Sequence, residues 1–103
     1  MISRVLATQV YFDLYLKDDS YQSYLFNFFD TFEKWLGREK VWSKAATISF
    51  LRFVQKCRTL ARYYGDTNTD PQKVAKLLDD EHNIQALNWL NQKKEEVLGL
   101  KGR

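Results

Sequence analysis

With a single cysteine, Cys57, the chain has no second thiol for an internal disulfide, and it has no CxxC pair from which to build a zinc site. One histidine, His82, likewise cannot supply a multi-histidine metal centre and reads as a surface or capping residue. The four glycines are isolated, so no glycine-rich loop is available to cradle a phosphate. There is no GxSxG elbow, and no pair of carboxylates is set among apolar residues as acid–base chemistry requires. Asp79, Asp80 and Glu81 adjoin one another without the alternating spacing and central glycine of a calcium loop, and read as a solvated acidic turn. These absences point to a protein that is not an enzyme and needs no cofactor or metal. Apolar runs fall short of the ~20 residues of a membrane span, and MISRVLATQV is not patterned as a secretory leader. A cytoplasmic protein is the default expectation.

What is present favours helix throughout. The 103 residues suffice for one domain, and 45% hydrophobic with 16% aromatic content argues for a packed core over disorder. One proline leaves few breaks, and β-branched runs are missing. The pattern predicts an all-α bundle of four or five helices over 1–98, followed by a frayed basic tail, 99–103. The first helix spans Ile2 to Lys17, with Ile2, Val5, Leu6, Val10 and Leu14 as its inward stripe, widened by Tyr11 and Phe12. Its pattern begins almost at Met1, as expected of a piece of a longer polypeptide or a product of an internal start codon, with Ser3 as a helix cap the alternative. Ser20 is placed to cap a second helix, Tyr21 to Leu36, whose stripe is Tyr21, Tyr24, Leu25, Phe28, Phe29, Phe32, Trp35 and Leu36. Gly37 is expected as its C-terminal cap, and the short connection that follows favours an antiparallel partner helix. Asp70-Pro71 marks the start of a short helix to about Asp80 or Glu81, and a last helix is expected from Ile84 to about Leu98.

The third helix concentrates the charge. Residues 38–64 hold seven cations (Arg38, Lys40, Lys44, Arg52, Lys56, Arg58 and Arg62) against Glu39 alone, a local +6 within a chain whose net charge is +3. Its apolar stripe is Phe50, Phe53, Val54, Cys57, Leu60, Ala61 and Tyr64, extended by Trp42 and Ala46, and Gly65 supplies the stop. Lys40, Lys44, Arg58 and Arg62 project within a sector about 40° wide and span about 33 Å. Arg52 and Lys56 lie further around the same polar face. Such a row is suited to following phosphates of a nucleic-acid strand without reading bases. A solvated helix face is the ordinary alternative, although such faces usually interleave Glu with Lys.

Two functional classes follow. One is a helical nucleic-acid-binding subunit using Lys40, Lys44, Arg52, Lys56, Arg58 and Arg62. The other is a helical interaction or scaffold domain, antitoxin-like or an assembly subunit, docking through Trp42, Leu51, Tyr63 and Trp89, which lie partly off the main stripes.

The organisation as a whole, an abrupt amphipathic start and an aromatic helix (YQSYLFNFFDTFEKWLG) leading into a basic one (REKVWSKAATISFLRFVQKCRTLARYY), resembles the small subunit of CRISPR interference complexes. The resemblance covers the whole chain, and site residues are assigned from the charge pattern alone. It implies a helical bundle that binds the backbone and large subunits of an effector and further copies of itself. It further implies contact with target or displaced DNA, or with an RNA–DNA hybrid, that holds the duplex open.

Overall fold

The computed structural model describes residues 2–38, 43–65, 70–79, 81 and 84–101. They form α1 (Ile2–Lys17), a 3₁₀ turn (Asp19–Tyr21), α2 (Gln22–Arg38), α3 (Lys44–Gly65), α4 (Pro71–Ala75) and α5 (Leu87–Lys101). The fold is an all-α bundle, with no strand among the described residues.

Side-chain pairs fix the directions. Tyr11 meets Phe28 at 5.4 Å between ring centroids, and Arg4 lies 4.3 Å from the centre of the Trp35 ring, so α1 and α2 run antiparallel. Arg58 reaches Asp30 and Glu33, which makes α2 and α3 antiparallel in turn. The C-terminal ends of α1 and α3 therefore meet. There the Tyr15 and Tyr64 rings pack edge to face at 5.3 Å, and the Tyr64 hydroxyl donates to the Leu16 carbonyl at 3.0 Å. α5 closes the bundle, with Trp89 against Phe12 of α1 and Phe53 of α3. Phe12, Leu25, Phe29, Phe32, Phe53, Val54, Cys57, Leu60, Leu90 and Val97 are all fully buried, one apolar core made by four helices.

Local signals account for several ends. Asp70 caps α4, its side chain accepting from the Gln72 N–H at 3.0 Å ahead of Pro71 at the first helical position. Ser43 Oγ accepts from the Ala46 N–H at 3.1 Å and so starts α3. Other boundaries differ from the sequence reading. Asp18, not Ser20, is the cap at the first junction: it accepts from the Ser20 N–H at 3.0 Å, and that hydrogen bond holds its carboxyl below the usual carboxylate range. Gly37 lies inside α2, which continues to Arg38, and α5 runs through Gly99 to Lys101, so residues 99–101 are helical where a frayed tail is expected. α4 ends at Ala75 and gives way to turns. The last helix begins three residues later than Ile84, because Ala86 takes a left-handed φ of 53° that interrupts helical geometry just before Leu87.

The largest correction concerns the face of α1. Thr8, Phe12 and Tyr15 are its buried residues, whereas Leu6 and Val10 are 54% and 57% exposed. A helix apolar nearly all round offers two inward stripes, and the one carrying the aromatic rings buries more area.

Gly65 ends α3 for reasons of space, since its φ is not positive. A Cβ at this position would lie 2.6 Å from the Tyr15 hydroxyl. Tyr15 is 2% exposed and donates to the Ala61 carbonyl at 3.5 Å, and burial, with Tyr64 and Asp19 nearby, pushes its phenol above the ordinary range. Gly65→Ala is therefore expected to destabilise the fold by about 1 kcal/mol, overpacking outweighing the better helix propensity of alanine. Urea denaturation checks this, and a midpoint raised above that of the parent would show that Tyr15 gives way freely.

Candidate nucleic-acid interface

The cations of α3 do not form one open row. Arg58, whose side chain is 17% exposed, turns toward α2, where Nη2 lies 3.1 Å from Asp30 Oδ1 and 2.9 Å from Glu33 Oε1. Its guanidinium also sits 5.4 Å from the centre of the Phe29 ring. Burial acts to lower the guanidinium pKa, but hydrogen bonds and charge from Glu33 and Asp30 outweigh it and the shift is upward. Arg52 and Lys56 lie 3.5 and 3.6 Å from the two carboxylate oxygens of Glu81. Glu81, its side chain 15% exposed, is thus a mostly covered counter-ion and not the freely solvated end of an acidic turn; Asp80 and His82 lie outside the described residues.

Lys44 and Arg62 remain. Both are exposed, and neither has an acidic partner among the described residues. They stand about 27 Å apart at ~1.5 Å per residue of rigid helix. Lys40 belongs to the same sector in sequence but lies outside the described residues.

The ion pairs differ in how readily a phosphate displaces them. Arg52 is 52% exposed, and such pairs contribute little in water, so a competing anion exchanges for Glu81 at small cost. Arg58, donating to two carboxylates over an aromatic ring, is committed to the fold. Arg58, expected in the open row of cations, is instead engaged by the carboxylates of α2.

Beside Arg62, the first turns of α2 complete an open groove of about 460 Å³ lined by Gln22, Ser23, Phe26, Asn27 and Arg62. No carboxylate belongs to this lining. Phe26, absent from the expected stripe of α2, is half-buried and packs edge to face on buried Phe29 at 5.5 Å. Comparison with family models, with curated proteins and with solved structures finds no match to this chain. Function is therefore argued from these residues.

The aromatic residues expected at a partner surface are placed otherwise. Tyr63 is 4% exposed and lies beneath Lys101 Nζ at 5.5 Å, so it presents almost no face outward. Leu51 and Trp89 are half-buried and pack against the core. Trp42 lies outside the described residues. Among the described residues the exposed large apolar side chains are instead Leu6, Val10, Tyr24, Ile48 and Leu100. Leu6 and Val10 share one face of α1, at i and i+4. Their exposure was not separable from sequence, because the alternative stripe through Phe12 and Tyr15 has the same period.

Among the described residues no group of three or more metal-ligating side chains comes together, and no helix is long and apolar enough to cross a membrane. Cys57 is fully buried on α3, and burial pushes its thiol well above its usual range.

Proposed function

We propose that this chain is a non-enzymatic helical subunit of a nucleoprotein assembly, of the CRISPR effector type its organisation resembles, contacting nucleic-acid backbone without reading sequence. One observation carries the reading: Lys44 and Arg62 stand exposed at opposite ends of α3 with no acidic partner among the described residues, while Arg52, Lys56 and Arg58 between them are matched by carboxylates. Cations left uncompensated on a rigid rod attract phosphates by releasing condensed counterions. Two such contacts give one copy weak affinity, and copies arrayed along one strand multiply it. In such an assembly the partners are the large and backbone subunits and further copies of the chain. A second reading, a helical interaction domain without nucleic-acid contact, is favoured by the exposure of Leu6, Val10 and Tyr24 at 54%, 57% and 64%.

Fluorescence anisotropy with single-stranded DNA, duplex DNA and RNA at about 50 and 200 mM salt separates the two. Affinity is expected to fall about tenfold between these concentrations, as for roughly two phosphates neutralised. The Lys44→Ala/Arg62→Ala variant is expected to remain folded and to lose nearly all of that salt dependence. An absence of binding at the lower salt would leave assembly through protein contacts as the function.

A further inference from the structure

Resting on the reading that this chain contacts nucleic acid, we infer that the groove between the start of α2 and the end of α3 is a single-nucleotide subsite for single-stranded nucleic acid, with Phe26 as the stacking ring and Arg62 as the phosphate contact.

Four observations converge there. The groove, about 460 Å³, falls within the range of small-ligand sites and is open to solvent. Arg62 has no acidic partner among the described residues, and the lining contains no carboxylate, so the electrostatic character of the site is that of an anion acceptor. Phe26 is half-buried and held by its contact with Phe29, which gives a ring of fixed orientation at the groove. Gln22, Ser23 and Asn27 supply two amides and a hydroxyl, which both donate and accept and so match base edges and sugar hydroxyls of any identity. An aromatic ring next to a cation, with neutral polar groups around them, is the combination that single-strand binders use, one base stacking while its phosphate is held. Paired bases in a duplex keep their faces covered by neighbours, so the ring confers a preference for single strands that the helix cations alone do not.

Phe26 packs against the core on one side and lines the groove on the other. The core of α2 is closed by Leu25, Phe29, Phe32 and Leu36, and Phe26 adds a partly exposed ring at the junction with α3. Gln22 lies near the end of α3, its Nε2 being 3.8 Å from where a Gly65 Cβ would stand.

The test is anisotropy with a labelled ~15-nucleotide single strand and the matching duplex, using Phe26→Leu, Phe26→Tyr and Asn27→Glu. Leucine keeps an apolar side chain of similar bulk but no ring, tyrosine keeps the ring, and glutamate at the exposed position 27 sets a carboxylate beside Arg62. Circular dichroism confirms that each variant is folded. Single-strand affinity is expected to fall about tenfold in Phe26→Leu, with the salt dependence and the duplex affinity unchanged, and to stay within about twofold in Phe26→Tyr. Asn27→Glu is expected to lower the salt dependence by about one phosphate. Equal single-strand binding by the leucine and tyrosine variants would overturn the subsite while leaving the backbone-contact reading intact. Equal losses on single strand and duplex in Phe26→Leu would overturn it as well. No binding by the parent protein to any strand at about 50 mM salt would overturn both.

Discussion

Trp89→Ala is expected to lower the unfolding free energy by about 3 kcal/mol, the lower end of the range for removing a large aromatic from a core, since the ring is half-buried. Trp89 joins three helices: its ring lies 5.6 Å from fully buried Phe12 of α1, edge to face at 82°, and 6.1 Å from fully buried Phe53 of α3. Lys93 Nζ sits 5.8 Å from the same ring while pairing with Asp13 of α1 and with Glu96 at 2.9 Å. Burial lowers the affinity of that ammonium for its proton, but its two carboxylates outweigh the effect and hold its pKa above the ordinary range. Truncating the indole opens a cavity between α1, α3 and α5 that none of the three can fill without moving its backbone. Against a total stability of roughly 5–15 kcal/mol, such a loss leaves the variant marginal near room temperature. Urea denaturation followed by far-ultraviolet circular dichroism measures it, and Trp89→Phe should recover most of the stability. An unchanged midpoint in Trp89→Ala would mean that the ring serves an external partner instead of the core.

The second large effect belongs to Arg58. Arg58→Ala should destabilise the fold by about 2–3 kcal/mol, the worth of charge-assisted hydrogen bonds discounted for their partial exposure. It should leave the affinity for single-stranded DNA within about twofold of the parent, in contrast to changes at Lys44 and Arg62. The physical ground is that α2 brings two carboxylates to one guanidinium, Asp30 58% exposed and Glu33 36% exposed at their side chains, and a cation so compensated has little field left for a third anion. A double-mutant cycle with Glu33→Gln isolates the pair, and a coupling near zero would return Arg58 to the set of available cations.

These two residues show where sequence reasoning stops. On period alone Trp89 falls beside the stripe of its helix and reads as surface. It is brought inward because α5 packs on α3 with the Trp89 ring directed at Phe53 and at Phe12 of α1, a juxtaposition set by residues far apart in the chain. Arg58 reads as one of a row of four because Lys40, Lys44, Arg58 and Arg62 share a helical sector. Whether that sector meets water or the acidic side of α2 depends on the rotation of α3 about its own axis. Asp30 and Glu33 are visible in the sequence as the polar side of α2, yet nothing local says that they face α3.

The sequence by itself determined the all-α architecture, the start of α4 at Asp70-Pro71, the buried stripe of α3 nearly residue by residue, the burial of Leu25, Phe29, Phe32 and Leu36 on α2 though not of Tyr24, and the burial of Cys57. Each is a local property, written in periodicity and capping chemistry within one helix. Only the tertiary structure decided which of two stripes on α1 turns inward, which cations of α3 meet carboxylates among the described residues, and that Phe26 and Arg62 share a groove. Those outcomes rest on how one helix is rotated and placed against another. That placement is fixed by the summed packing of the whole core, a quantity no single segment carries.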